Sequence, residues 1–268
     1  MIPASFPGVS GGGFFRALSF LTRLPVPKRF VGVTDAGDPL PLEVFWIPVV
    51  GAAVGAVLAL ASVLLSRLAI LIPPVHPFVS AFLILIVWIF MTGALHLDGL
   101  ADTAECAFAE VPPHEKRRIR KDPRKGVYAI VALNLAILAK WVGILSLLSS
   151  PVALLLAPLL SRGALVPVFR YLARSATDKG EGLGGLLLSR PSSGSFGDGA
   201  LAGLLFSLAA AGLAGGEKGA GAAIVMLVAM AGLGRALLSR IDGLSGDLAG
   251  LLIEAGEILF LFAMVYLR

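Results

Sequence analysis

Apolar and polar positions alternate along this chain in long blocks rather than with the short period of a soluble helix or strand. Seven apolar blocks lie near Val44–Leu65, Phe78–Leu97, Val127–Leu148, Val152–Tyr171, Ala200–Gly215, Ala220–Ser239 and Leu248–Leu267. Each approaches the roughly 20 residues that a helix needs to cross a bilayer. The fifth is short and rich in Gly and Ala, and the third and fourth are separated only by the turn at "SSP", which predicts a tight antiparallel pair. Ahead of them, "FFRALSFLTRLPVP" predicts a short amphipathic helix ending at Pro25 and Pro27. Arg16 and Arg23 interrupt this segment and no small-residue cleavage site follows, so a cleavable signal is not expected. The expected fold is all-α: a polytopic integral membrane protein of about seven transmembrane helices with an N-terminal amphipathic helix, residues 1–268 forming a single membrane-embedded domain.

Composition agrees with that pattern. The chain is 57% hydrophobic and 15% charged, where a soluble domain carries about 25% charged residues. Thirty-two glycines suit close helix packing in lipid. The single cysteine, Cys106, excludes a disulfide framework within the chain. A net charge of +5 suggests nucleic acid in a soluble protein, but here the distribution explains it and no nucleic-acid partner is expected. With the N-terminus inside, 17 of the 22 Lys and Arg residues fall on the cytoplasmic segments or their borders, and only Arg67, Lys218 and Arg268 fall opposite. The segments after the second, fourth and sixth spans therefore share the cytoplasmic face of a cell (inner) membrane protein, and a site built from them would meet phosphorylated substrates.

Those segments hold the candidate chemistry. In "HLDGLADTAECAF", Asp98, Asp102 and Glu105 are spaced by four and then three residues, so they line one helix face. Like charges at that spacing destabilise a helix unless a counterion lies among them. Carboxylates so grouped are the hard oxygen ligands of Mg²⁺, whose shell is completed by water and substrate phosphate. A solvated acidic helix start is the plainer alternative. In "EKRRIRKDPRKG" most basic residues suit a loop attracted to anionic lipid. Asp122 is a further candidate metal ligand there, Arg124 a candidate phosphate clamp and Gly126 a place for close backbone approach. In "DGLSGDLAGLLIEAGEILF", Asp247 and Glu254 are seven residues apart on one face and are candidate ligands, with Glu257 one turn deeper.

Two cations, Lys140 and Arg162, lie within predicted spans and need anionic partners. Both a phosphate-bearing substrate and the acidic pair Glu254 and Glu257 would serve. The loop "DKGEGLGG" is a weak candidate for backbone contacts to phosphate. His96 precedes Asp98 and is a candidate to orient a ligand carboxylate. The residues themselves thus point to a membrane enzyme with a Mg²⁺-dependent phosphoryl site.

The motifs "FLTRLPVP", "MTGALHLDGLADTAE", "RKDPRKG", "SRG", "EGLG" and "GLSGDLAGLLIEAGE" together resemble, in order, the cobalamin (5′-phosphate) synthases, also called adenosylcobinamide-GDP ribazoletransferases. The likeness runs from about Phe15 to the C-terminus. It implies transfer of the cobinamide phosphate of adenosylcobinamide-GDP to α-ribazole or α-ribazole 5′-phosphate, with release of GMP and Mg²⁺ required. Asp98, Asp102, Arg124 and Arg162 are then the candidate catalytic residues, with Asp102 a candidate acceptor of the hydroxyl proton. Asp98, Asp102, Glu105, Asp122, Asp247 and Glu254 are the candidate metal ligands. Where the family has Asp-Gly, this chain has Glu105 and Cys106, and Pro123 replaces a serine in the family's "DSRxG". Two other classes stay open on the residues alone: a CDP-alcohol phosphotransferase, whose usual Arg and further Asp residues are missing, and a secondary transporter, which would account for Lys140 and Arg162. The sequence does not fix the oligomeric state, and a homo-oligomer is compatible with it.

Overall fold

The computed structural model describes residues 11–27, 30, 44–71, 76–111, 115–116, 118, 124–176, 199–241 and 243–267. Eight helices appear there: α1 (Gly11–Leu21), α2 (Trp46–Leu71), α3 (Pro77–Thr92), α4 (Leu95–Phe108), α5 (Val127–Ser146), α6 (Pro151–Ala173), α7 (Gly199–Leu238) and α8 (Gly246–Tyr266). Among the described residues there is no strand. Helix is the expected outcome where backbone polar groups must satisfy one another without water.

α6 is the axis. Leu154, Leu156, Leu159, Leu160, Leu165 and Phe169 are all buried on it, and α2, α7 and α8 pack around it. α4 lies against α8 and α5. The outer faces carry exposed Leu60, Phe82, Phe90, Leu135, Leu205 and Val228, the apolar surface that lipid tails solvate at no cost. This is an all-α, polytopic membrane protein.

Two breaks shape the spans. The predicted second span, Phe78–Leu97, is not continuous. α3 ends at Thr92, and Gly93 (φ 59°) and Ala94 (φ 57°) both adopt left-handed backbone. The chain leaves at 86° as α4. Glycine enters that region freely, whereas alanine does so at a cost, so the bend is imposed by packing on both sides.

The other break lies in α7. Forty continuous residues would extend about 60 Å, twice the hydrocarbon thickness. At Gly216 the backbone is not helical (φ 63°, ψ −156°), and the chain folds back. A Cβ on Gly219 would lie 2.6 Å from the Ala211 carbonyl oxygen, eight residues away and about 12 Å distant in a straight helix. α7 is therefore two antiparallel helices, 199–215 and 217–238, which match the predicted fifth and sixth spans. Five of the described helices are long and apolar enough to cross a membrane, and the bent α3–α4 pair makes a sixth. The described helices therefore supply five or six candidate spans, where the sequence predicts about seven.

Of the segments predicted to share one face, the one after the fourth span lies mostly outside the described residues. At one end the turn after α1, the start of α4, the residues before α5 and the turn before α8 come together. At the opposite end Ser62 donates to Leu148 O at 2.6 Å and Trp141 Nε1 to Phe78 O at 3.3 Å.

Candidate active site

α4 and α8 meet almost backbone to backbone, which is why both carry glycine at the crossing. A Cβ on Gly99 would lie 3.0 Å from Asp247 Cα, and one on Gly250 would lie 3.2 Å from His96 Cα. The contact sets Asp98 of α4 beside Asp247 in the first turn of α8. Ser245 caps α8, its hydroxyl accepting the Leu248 N–H at 3.2 Å. The two carboxylates line a cavity of about 400 Å³ together with His96, Thr22, Arg23 and Ser19, over an apolar floor that includes Ile47, Leu165 and Ile253. Arg23 is fixed at the mouth by its backbone N–H, which donates to Met91 O at 3.0 Å.

One turn along α4, Asp102 stands on the same side as Asp98, and one cation answers both. Lys125 Nζ lies 2.9 Å from Asp98 Oδ1 and also bonds Asp102 Oδ1. Partial burial disfavours the charged form of Lys125, but its hydrogen bonds to Asp102 and Asp98 and their negative charges prevail and raise its pKa above the ordinary lysine value. The repulsion inherent in the i, i+4 pair is thus offset by a cation. Sequence reasoning placed Lys125 among the loop bases and Arg23 in a motif without a role. The only signal available for Lys125 was its place next to Arg124 and Gly126.

The remaining candidates divide. Glu105, on the same face of α4, is engaged elsewhere: its Oε2 accepts the Ala129 N–H at 3.0 Å, capping the N-terminus of α5. The structure thus gives this carboxylate a helix start, where the spacing alone suggested a metal. Arg124 is exposed at the same end. Asp122 and the loop "DKGEGLGG" lie outside the described residues.

Glu254 and Arg162 are not at the cavity mouth. Lys140 Nζ bonds Glu254 Oε2 at 2.5 Å and Glu257 Oε2 at 2.6 Å, and Arg162 Nη1 bonds Glu257 Oε1 at 2.5 Å. Arg162 also donates to Pro158 O at 3.1 Å, and Lys140 sits 4.5 Å from the centre of the Trp88 ring. All four charged residues are buried. Two cations and two anions balance and tie α5, α6 and α8 together. Glu254, expected as a metal ligand, and Arg162, expected as a phosphate clamp, are thus each held here by a buried ionic partner. The pairing of these cations with Glu254 and Glu257 was the other reading the sequence left open.

Among the described residues no three or more His, Cys, Asp or Glu side chains converge as a metal-holding cluster. The site offers two carboxylates that already share one cation, with Asp247 nearby. That set fits Mg²⁺, which commonly takes one or two carboxylates and completes its shell with water and substrate phosphate.

Comparison with known proteins agrees with the motifs. A family model described as cobalamin-5-phosphate synthase matches residues 13–265. A relative from Ectopseudomonas mendocina, named adenosylcobinamide-GDP ribazoletransferase, is 36% identical over 264 residues, covering 92% of this chain and 96% of its own. Relatives of the same name from Pseudomonas syringae (34% identical, 95% and 99% covered) and Klebsiella pneumoniae (32%, 94% and 98%) are similar over the same extent. No solved structure matches. On the breadth of these matches, the chain belongs to the cobalamin-5-phosphate synthase family.

Proposed function

We propose that this protein transfers the cobinamide phosphate of adenosylcobinamide-GDP to α-ribazole or its 5′-phosphate, releasing GMP, at the end of the bundle that carries Asp98, Asp102 and Asp247. The observation that carries the reading is the cavity itself: about 400 Å³, walled by α1, α4 and α8, with two carboxylates and Arg23 on its lining. Its mixed character suits a ligand with an anionic pyrophosphate and a large organic body. The active end is assigned to the cytoplasmic side on the distribution of Lys and Arg.

The chemistry is a displacement at phosphorus, in which a ribose hydroxyl attacks the cobinamide-side phosphorus and the bond to GMP breaks. Such reactions depend on positioning and charge neutralisation. Asp98 and Asp102, with Asp247 at the edge, would hold Mg²⁺. The ion would supply charge neutralisation of the pyrophosphate and of the leaving GMP. Arg23, on the cavity lining, and Arg124 are the proposed ligands of phosphoryl oxygens. Lys125, which bonds both carboxylates, would be a further donor to the same oxygens if Mg²⁺ were held there. Asp102, less exposed than Asp98, is the proposed acceptor of the attacking hydroxyl's proton.

The test is GMP release by purified protein in detergent, given adenosylcobinamide-GDP and α-ribazole 5′-phosphate, with and without Mg²⁺. Release that needs acceptor and metal supports the reading. Intact, folded protein that releases no GMP overturns it.

A further inference from the structure

His96 lines the inner side of the cavity and is 3% exposed. Its Nδ1 stands 3.4 Å from Arg162 Nη2. A guanidinium nitrogen offers protons and no lone pair, so this contact makes Nδ1 an acceptor and leaves the ring proton on Nε2. Arg162 is not free to turn away, because Nη1 is held by Glu257 and by Pro158 O. Nε2 is buried and finds no hydrogen-bond partner among the described residues. A buried N–H without an acceptor is uncommon enough in a folded protein to require a reason.

We infer that His96 is a substrate-binding hydrogen-bond donor: its Nε2–H, fixed by Arg162, meets a phosphoryl oxygen of the ligand that fills the cavity. The residue stands two positions before Asp98, on the helix turn that carries the carboxylates. A pyrophosphate neutralised on one side by a cation at Asp98 still needs donors on the other. His96 supplies a neutral one from the protein interior, and the ion network beneath it is a positioning device. Because Nδ1 is occupied as an acceptor and Nε2 bears the proton, His96 is not the base for the attacking hydroxyl. This rests on the proposed function in one respect, that the ligand carries phosphoryl groups.

The experiment has two arms. In the first, ¹⁵N-histidine is introduced into a His76→Gln, His114→Gln double variant, in which His96 is the remaining histidine, and the ring tautomer is read by NMR in detergent. The Nε2–H form is expected, and its resonance should shift when pyrophosphate and Mg²⁺ are added. An Nδ1–H ring, or no shift, overturns the inference. In the second arm, His96→Leu should lower kcat for GMP release by about 10²-fold, the effect typical of losing one fixed donor, while His96→Gln, which keeps an N–H, stays within about tenfold of wild type. Equal turnover by His96→Leu and wild type also overturns it. If wild type itself releases no GMP, the proposed function fails, and the first arm alone decides the role of His96.

Discussion

Glu105 Oε2 accepts the backbone N–H of Ala129 at 3.0 Å, so a carboxylate that shares a helix face with Asp98 and Asp102 serves the start of another helix. Gly126 is the N-cap of α5 and has no side chain to satisfy the first-turn N–H groups. Glu105 supplies the missing acceptor across the gap from α4, and its charge suits the positive end of the α5 dipole. Lys125 directly precedes that cap, so the same contact fixes where Lys125 begins its reach toward Asp98.

The first prediction follows. Glu105→Ala should destabilise the protein by about 1 kcal/mol, the usual cost of a lost cap, whereas Glu105→Gln, which retains an acceptor oxygen, should lose less. Thermal unfolding in detergent measures both. Mn²⁺ affinity should be nearly unchanged in Glu105→Gln. A large fall would return Glu105 to the metal site.

Asp98→Asn and Asp102→Asn should behave differently from Glu105→Gln. Each keeps the shape of the side chain and removes the charge that Lys125 or a divalent cation answers. Turnover is expected to fall at least 10²-fold, consistent with removing one group that acts on the transition-state charge, with the unfolding temperature within a few degrees of wild type. Near-normal GMP release in either variant would detach these carboxylates from the chemistry.

The sequence made much of this legible, and its limits have physical causes. Runs of about 20 apolar residues have few fates other than a membrane helix, so the spans could be placed, including the two halves of α7 around "AGGEKG". The bend at Gly93 and Ala94 was not legible, because hydropathy reports how apolar a segment is and not the direction it takes. In the site, the i, i+4 spacing of Asp98 and Asp102 is a local property that any helix enforces. The fate of Glu105 depended on where α5 begins, and the partners of Arg162 and Lys140 lie 95 to 117 residues away. No local pattern chooses between a substrate phosphate and a distant glutamate.

The buried network yields a prediction about coupling. Lys140→Met leaves Glu254 and Glu257 facing Arg162 alone, an excess buried anion. Breaking such a pair from one side costs about 3–5 kcal/mol. The double variant Lys140→Met, Glu254→Gln restores the balance of one cation and one anion, so it should be more stable than Lys140→Met alone. Unfolding of the two single variants and the double variant in a double-mutant cycle measures this, and additive losses would show that the charges are not coupled.

Lys125 gives the site a defined alkaline limit. A lysine whose folded pKa is raised contributes stability that is fully present below the unfolded value of about 10.4 and is lost as pH rises through the higher folded value. The Lys125 pKa is raised by Asp102 and Asp98 against the opposing effect of partial burial. The stability difference between wild type and Lys125→Met should therefore be flat from neutral pH to about pH 10 and shrink above it. Lys125→Arg should carry the bridge to higher pH, since arginine stays charged. A difference that already shrinks near neutral pH would contradict the assigned bridge.

The crossing of α4 and α8 offers a test of geometry with charge left untouched. A Cβ on Gly250 would meet His96 O at 3.0 Å, His96 Cα at 3.2 Å and Gly99 Cα at 3.3 Å, and all three are backbone atoms that no rotamer change can move. Gly250→Ala should therefore push α4 a few tenths of an ångström away from α8, separating Asp98 and His96 from Asp247. Misplacement by about 1 Å can cost 10²-fold in rate, so the smaller shift is expected to lower kcat by about tenfold, with a modest loss of stability. Gly232→Ala is the matched control, because a Cβ there meets nothing within 4 Å, and removing a helical glycine should leave stability unchanged or slightly improved. If both variants turn over at the wild-type rate, the carboxylates on the two helices do not act as one site.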